Sequence, residues 1–138
     1  MVTFQQRWGE ALTALKAKAG ELGVAEGSIR AGDPSASVID AAPPCVNVYL
    51  VPGDPSPGEG YGAAYTATCV VVCQTSPQVN DGMAATVKAE AMGRKVFDTL
   101  ARLWEGVARP ALPPVAFLGG DADRTIVDVQ FVVTYVPS

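Results

Sequence analysis

The most regular pattern in the chain lies at residues 64–74, AYTATCVVVCQ, where β-branched, aromatic and small residues run on without glycine, proline or charge. This composition is typical of a central β-strand. In such a strand one face carries Tyr65, Ala67, Cys69, Val71 and Cys73, and the other carries Thr66, Thr68, Val70, Val72 and Gln74. Because neither face is strongly polar, we expect both faces to be covered.

Two segments have the apolar period of amphipathic helices. The first runs from Thr3 to Gly23, with Thr3 and Gln6 in the spacing of a capping box. The second runs from about Met83 to Glu105, after a cap at Asn80 or Asp81. Their predicted buried stripes are Phe4, Trp8, Leu12, Leu15, Ala19 and Leu22, and Ala85, Ala89, Met92, Val96, Leu100 and Leu103. A close approach to a strand would explain Gly93 within the second helix.

Alternating apolar residues predict further strands. One is Cys45–Val51, and a hairpin joins 115–118 to 125–136; a short strand at Ser37–Asp40 is a weaker signal. The last strand has a core face of Val127, Val129, Phe131, Val133 and Tyr135. The sequence therefore predicts an α+β fold. Its sheet is mixed, mainly antiparallel and four-stranded or slightly larger, and two helices pack on one face.

We expect residues 1–138 to form a single domain that contains two irregular segments. Residues 24–44 form a connector rich in small residues, with breakers at Asp33-Pro34 and Pro43-Pro44. Residues 52–62, PGDPSPGEGYG, form a loop far longer than the roughly 2–5 residues that a hairpin needs. We expect this second segment to be a flexible flap that becomes ordered on a partner.

The charge distribution separates helices from loops. The net charge is −4, whereas the two helical segments are net positive, so the connector, flap and strand ends are acidic. An acidic chain has no overall attraction for nucleic acid. No apolar run approaches a membrane span, and charges throughout the first residues argue against an export signal.

Little in the sequence indicates catalysis or metal binding. The chain has no histidine, which excludes Ser-His-Asp and Cys-His systems. We interpret Cys45, Cys69 and Cys73 as small buried residues of a reducing compartment. An enzyme using carboxylates such as Asp40, Asp98 or Asp128 stays an alternative, although no paired arrangement is visible. We expect no catalytic residue, cofactor or metal.

The sheet face away from the helices would show Thr66, Thr68, Val70, Val72, Val132 and Tyr49. Such a patch is more apolar than a typical solvent-exposed surface and more polar than a typical protein core. Surfaces of this kind tend to be interfaces. The residues by themselves therefore favour an assembly module that associates with copies of itself.

In the order of its segments, the chain resembles the tail terminator proteins of long-tailed bacteriophages. This order is helix, PPCVNVYLV, acidic flap, YTATCVVVCQ, long helix and final VDVQFVVTYVPS. In that family a proline leads into a strand V-x-V-Y-L, matched here by Val46, Val48, Tyr49 and Leu50. An aromatic-led strand follows, matched from Tyr65, and the closing strand is matched by residues 132–135. The likeness covers nearly the whole chain and consists of hydrophobic patterns.

The resemblance implies a structural virion protein at the junction of tail and neck, assembled in the host cytoplasm. Such terminators form a ring, usually of six subunits, on the last ring of tail tube protein. They stop tube growth and present a surface to the head connector, while DNA passes through without specific binding. Candidate contacts are the flap and residues 75–82, with Asp54, Glu59 and Tyr61 as the first residues to test.

Two other functions stay open on the sequence alone. Another neck or head-completion protein would share the size and class of this chain, so that only its position in the particle would distinguish it. A small-ligand-binding α+β domain, with a pocket under the flap, would instead be monomeric.

Overall fold

The computed structural model describes residues 2–32, 44–53, 65–75, 82–111, 113–120 and 125–136. The helices are α1 (Phe4–Ala17), α2 (Ala19–Leu22) and α3 (Gly82–Leu103), with a 3-10 turn at Glu26–Ser28. The strands are β1 (Ile29–Ala31), β2 (Cys45–Pro52), β3 (Tyr65–Thr75), β4 (Ala108–Pro110), β5 (Ala116–Gly120) and β6 (Thr125–Tyr135). The described part thus confirms an α+β fold with a mixed sheet.

Among the described residues the sheet has six strands, whereas the sequence predicts four or slightly more. Its order is β1-β2-β3-β6-β4, and β5 pairs with β6 as well. β1 is parallel to β2, and all other pairs are antiparallel. The two additional strands, β1 and β4, have three residues each, too few to show an alternating pattern. The strand suggested at Ser37–Asp40 lies outside the described residues.

β3 is the central strand, as its composition predicts. It lies between β2 and β6 and pairs with β6 along its whole length. Residues that face one another across an antiparallel pair share a side of the sheet. One side therefore carries the buried rows Val46–Cys73–Val127, Val48–Val71–Val129 and Leu50–Cys69–Phe131. These rows belong to the same core cluster as buried residues of all three helices.

The first helical segment is interrupted, so the prediction of one helix over Thr3–Gly23 is wrong. The capping box is present, because Gln6 N–H donates to Thr3 Oγ1 at 3.2 Å and Thr3 N–H donates to Gln6 Oε1 at 2.8 Å. The break lies at Lys18, whose N–H donates to Leu15 O at 3.0 Å in a tightened turn. Gly23 then ends α2 with φ 73°, a value that suits glycine.

The buried stripe of α3 agrees with the prediction except at its end. Ala85, Ala89, Met92, Val96 and Leu100 are buried, but Leu103 is exposed. Trp104 is buried in its place, with its ring centroid 6.2 Å from that of Phe131. Its Nε1–H donates to Glu10 Oε1 at 3.1 Å. The larger indole ring therefore gains both an aromatic neighbour and a hydrogen bond where the chain leaves the helix.

Gly93 lies against the sheet, which confirms the expected close approach. A Cβ atom at this position would lie 2.7 Å from Val115 Cγ1 and 3.2 Å from Val127 Cγ2. Carbon atoms in ordinary contact are about 3.5–4.0 Å apart. Only a residue without a side chain lets α3 approach β6 this closely.

Candidate functional site

The reverse face is the side of the sheet opposite the buried rows just described. It consists of Arg30, Cys45, Asn47, Tyr49, Val51, Thr66, Thr68, Val70, Val72, Gln74, Arg109, Ile126, Asp128, Gln130, Val132 and Thr134. Strand register brings these residues together, although they come from five separate segments of the chain. All but one of the predicted interaction residues on β3 and β6 are half-buried here, and they form one surface.

The predicted interaction residues Thr66, Thr68, Val72 and Val132 are half-buried on this face, and Thr68 lies directly opposite Val132. Val70 differs, because only 7% of it is exposed. Its lateral neighbours on the adjacent strands are Tyr49 and Gln130, both of which have longer side chains. Val70 is therefore nearly buried within the single chain, and its role as an interaction residue stays a prediction.

The other three predicted residues, Asp54, Glu59 and Tyr61, lie outside the described residues, as do most of the flap and the proposed cap at Asn80 or Asp81. The strand after the flap begins in an aromatic cluster. The ring of Tyr65 is 5.7 Å from that of Tyr135, which in turn is 5.3 Å from that of Phe4. Tyr65, the first described residue after the flap, therefore lies in an aromatic cluster with Tyr135 and Phe4.

Burial divides the reverse face into two halves. At one end, Cys45, Gln74 and Asp128 are buried. At the other end lies the open half, which consists of Val51, Thr66, Thr68, Arg109, Val132 and Thr134, all half-buried or exposed. The open half is uncharged apart from Arg109. A combination of valine and threonine methyl groups with hydroxyl groups is suited to a flat protein interface.

Asp128 is the buried acid of this face, with 5% of its surface exposed. Its Oδ2 accepts a hydrogen bond from Gln130 Nε2 at 2.9 Å. Burial, followed by the charge of Asp128, raises the pKa of the Tyr49 hydroxyl. Tyr49, Asp128 and Gln130 therefore form a polar strip beside Val70, and the Tyr49 hydroxyl is neutral at pH 7.

The alternation along β6 predicts the correct face for Asp128 but not its burial. The pattern also misses Arg30 and Arg109, which lie opposite Asn47 and Val132 on the outer strands and are exposed. Arg109 lies between Ala108 and Pro110, in a segment whose sequence indicates only that the helix ends there. Nothing in this segment predicts that Arg109 belongs to a strand of the sheet. Arg30 gives no signal, because β1 is too short to show a pattern.

The thiols of Cys69 and Cys73 are both buried and reduced, as is expected of small core residues. Burial raises the pKa of Cys69 to about 12, and burial, the charge of Asp128 and then Cys45 raise the pKa of Cys73. Both thiols are therefore protonated and poor nucleophiles at neutral pH. The described residues contain no cluster of three or more histidine, cysteine or acidic residues that would hold a metal ion.

None of the helices in the described ranges is long and apolar enough to cross a membrane. A comparison of the chain with protein-family models and with curated proteins finds no match to either. The geometry of the reverse face is thus the observation from which a function has to be argued.

Proposed function

We propose that this chain is a structural assembly protein of a phage tail, a terminator that forms a ring on the last ring of tail tube protein. The helices cover one side of the sheet, and the open half of the reverse face is covered by a neighbouring copy. The ring has six subunits, caps the tube, and gives the head connector a surface to join. DNA passes through its centre without specific binding, and no membrane, cofactor, metal or catalytic residue takes part.

The supporting observation is the contrast between the two sides of the sheet. On one side of the sheet, the central rows of β2, β3 and β6, from Leu50–Cys69–Phe131 to Val46–Cys73–Val127, are buried. On the reverse face, Thr68 and Val132 lie directly opposite each other and both stay half-buried, and Val51 beside them is 39% exposed. Contact with a second copy would remove these valine side chains from water. Burial of this kind stabilises a contact by roughly 25 cal/mol per Å² of apolar area.

The resemblance to tail terminators is the reason for placing the proposed ring on a phage tail. The ring would act by occlusion, because it blocks the end of the tube to further subunits. The ring satisfies the exposed end of the tube on one side, and its other side offers no site to another tube subunit. The finished tail therefore has a fixed length and a new surface for the head. The chain would be found at the junction of tail and neck in the virion, after assembly in the host cytoplasm.

Two experiments test this proposal. In an infection without this protein, electron microscopy should show over-long tails; tails of normal length that fail to join heads would instead indicate another neck protein. Thr68→Glu should prevent the chain from associating and from restoring tail length. The matched control is Thr13→Glu, at an exposed position of α1. If Thr68→Glu folds, associates and restores tail length as well as Thr13→Glu, the reverse face is not the interface.

A further inference from the structure

The large hydrophobic side chains that are exposed in the described part of the chain fall into few places. They are Val51, Met83, Val87, Leu103, Phe117 and Leu118. Val51 belongs to the open half of the reverse face, and Leu103 is the last residue of α3, about 24 Å along the helix from Val87. The remaining four lie on α3 and β5, and all are more than half exposed. We call Met83, Val87, Phe117 and Leu118 the α3–β5 patch.

The close contact at Gly93 brings α3 and β5 together. A Cβ atom at Gly93 would lie 2.7 Å from Val115 Cγ1, and Val115 directly precedes β5. Phe117 follows two residues later and pairs with Val127, the other residue that Gly93 approaches. The exposed residues of β5 therefore lie beside α3, at an edge of the sheet.

Met83 and Val87 lie on the open flank of α3. At 3.6 residues per turn they are rotated by about 80° and 120° from Gly93, whereas the buried stripe lies on the other side of Gly93. Along the helix axis they are about 15 Å and 9 Å from Gly93. An interface of standard size, about 800 Å² on each partner, is about 30 Å across, so one partner can cover all four residues of the patch.

The patch has the composition of a protein-binding surface. Phenylalanine and methionine are both enriched where proteins bind one another. Glu90 and Arg94 follow Val87 on the same flank of α3, and they form an ion pair of 2.9 Å that gives the patch a neutral polar rim. Exposed apolar patches rimmed by polar residues mark interaction sites.

The α3–β5 patch and the open half are separate surfaces. Val127, which pairs with Phe117, is five residues from Val132 of the open half, or about 17 Å along β6. Residues an odd number apart in a strand point to opposite sides of the sheet, so Val127 and Val132 face opposite ways. One subunit can therefore contact one neighbour through its open half and another neighbour through its α3–β5 patch.

We propose that the open half of one copy covers the α3–β5 patch of the next copy, so that the subunits associate head to tail. This inference rests on the proposed function and names the surface that covers the open half. A ring of identical subunits uses two different patches on each subunit, whereas a patch that binds its own copy gives a two-fold dimer. The large side chains of Phe117 and Met83 would pack on the flat surface of valine and threonine residues, as central anchors of the contact.

Complementing variants test this proposal. Thr68→Glu disables the open half, Phe117→Glu and Val87→Glu disable the patch on two different elements, and Thr13→Glu on α1 is the exposed control. By itself, each of the first three should associate at least about tenfold more weakly than wild type, whereas the control should not. An equal mixture of Thr68→Glu and Phe117→Glu should form dimers and nothing larger, because such a pair has one intact interface. Sedimentation of the purified chains measures these states, and urea unfolding checks that each variant is folded.

Cross-linking in purified tails tests the same contact where subunits associate only on the tube. A chain with Thr68→Cys and Phe117→Cys, treated with a short bismaleimide, should give a ladder of linked subunits. The control chain, with Thr13→Cys and Phe117→Cys, should give none. Cys45, Cys69 and Cys73 are buried and should not react.

Three results would overturn the inference. Phe117→Glu and Val87→Glu could both associate as wild type does, Thr68→Glu could form dimers by itself, or the ladder could be missing from tails. In each case Thr68→Glu separates the two proposals. If it weakens association or fails to restore tail length, the reverse face is still the interface and only its partner surface is wrong. If it associates and restores tail length as the control does, the proposed function has failed as well.

Discussion

Gly93→Ala tests how closely α3 packs on the sheet. The new Cβ atom would lie 2.7 Å from Val115 Cγ1, about 1 Å closer than an ordinary contact. Valine is stiff about χ1, so its methyl group cannot rotate away without cost. Overpacking of this kind costs about 1–3 kcal/mol. Alanine regains about 1 kcal/mol of helix propensity, so we expect a net loss of about 1 kcal/mol.

Gly9→Ala is the matched control, because Gly9 also lies within a helix, but a Cβ atom added there would have no neighbouring atom within 4 Å. This substitution should stabilise the chain by about 1 kcal/mol. Urea unfolding, followed by tryptophan fluorescence at one protein concentration, measures both free energies. Val115→Ala in the Gly93→Ala background should recover part of the loss. Equal stabilisation by both alanines would refute the close packing of α3.

Two further predictions concern buried groups. Burial raises the pKa of Cys69 from 9.0 to about 12, so between these values the unfolded chain loses the thiol proton while the native chain keeps it. The free energy of unfolding should therefore fall by up to about 4 kcal/mol as the pH rises through this range, and it should fall less in Cys69→Ala. If urea unfolding shows the same alkaline loss for wild type and for Cys69→Ala, the prediction is contradicted. Glu10→Ala should cost about 1–3 kcal/mol, because the buried Trp104 Nε1–H loses its acceptor, whereas Glu10→Gln should cost less. Equal losses would show that this hydrogen bond is unimportant.

The alternation of residues along β3 and β6 was sufficient to predict which side of the sheet each residue occupies. It was sufficient because the side chains of a strand that is paired on both edges and buried on one side alternate strictly every two residues. Gly93 was predictable for a related reason, since a glycine within a helix needs a steric explanation. The cap at Thr3 follows from side chains only three residues apart.

The parts that the sequence did not predict depend on neighbours that are distant along the chain. Val70 and Thr68 look alike in the pattern, but Val70 is nearly buried and has Tyr49 and Gln130 as its lateral neighbours on the adjacent strands. Trp104 replaces Leu103 in the core because Phe131 and Glu10 lie within its reach. Arg109 joins the reverse face only because β4 pairs with β6. Lateral register decides such features, and local periodicity carries no information about it.

The most direct test of the account is whether assembly covers Thr68. A Thr68→Cys chain would be labelled with a maleimide as dilute subunits and again in purified tails, with Thr13→Cys as the exposed control. The native thiols at Cys45, Cys69 and Cys73 are buried and should not react in either state. We predict that the thiol at position 68 reacts in the dilute chain and is protected in tails, while that at position 13 reacts in both. Equal labelling of position 68 in the two states would contradict the account.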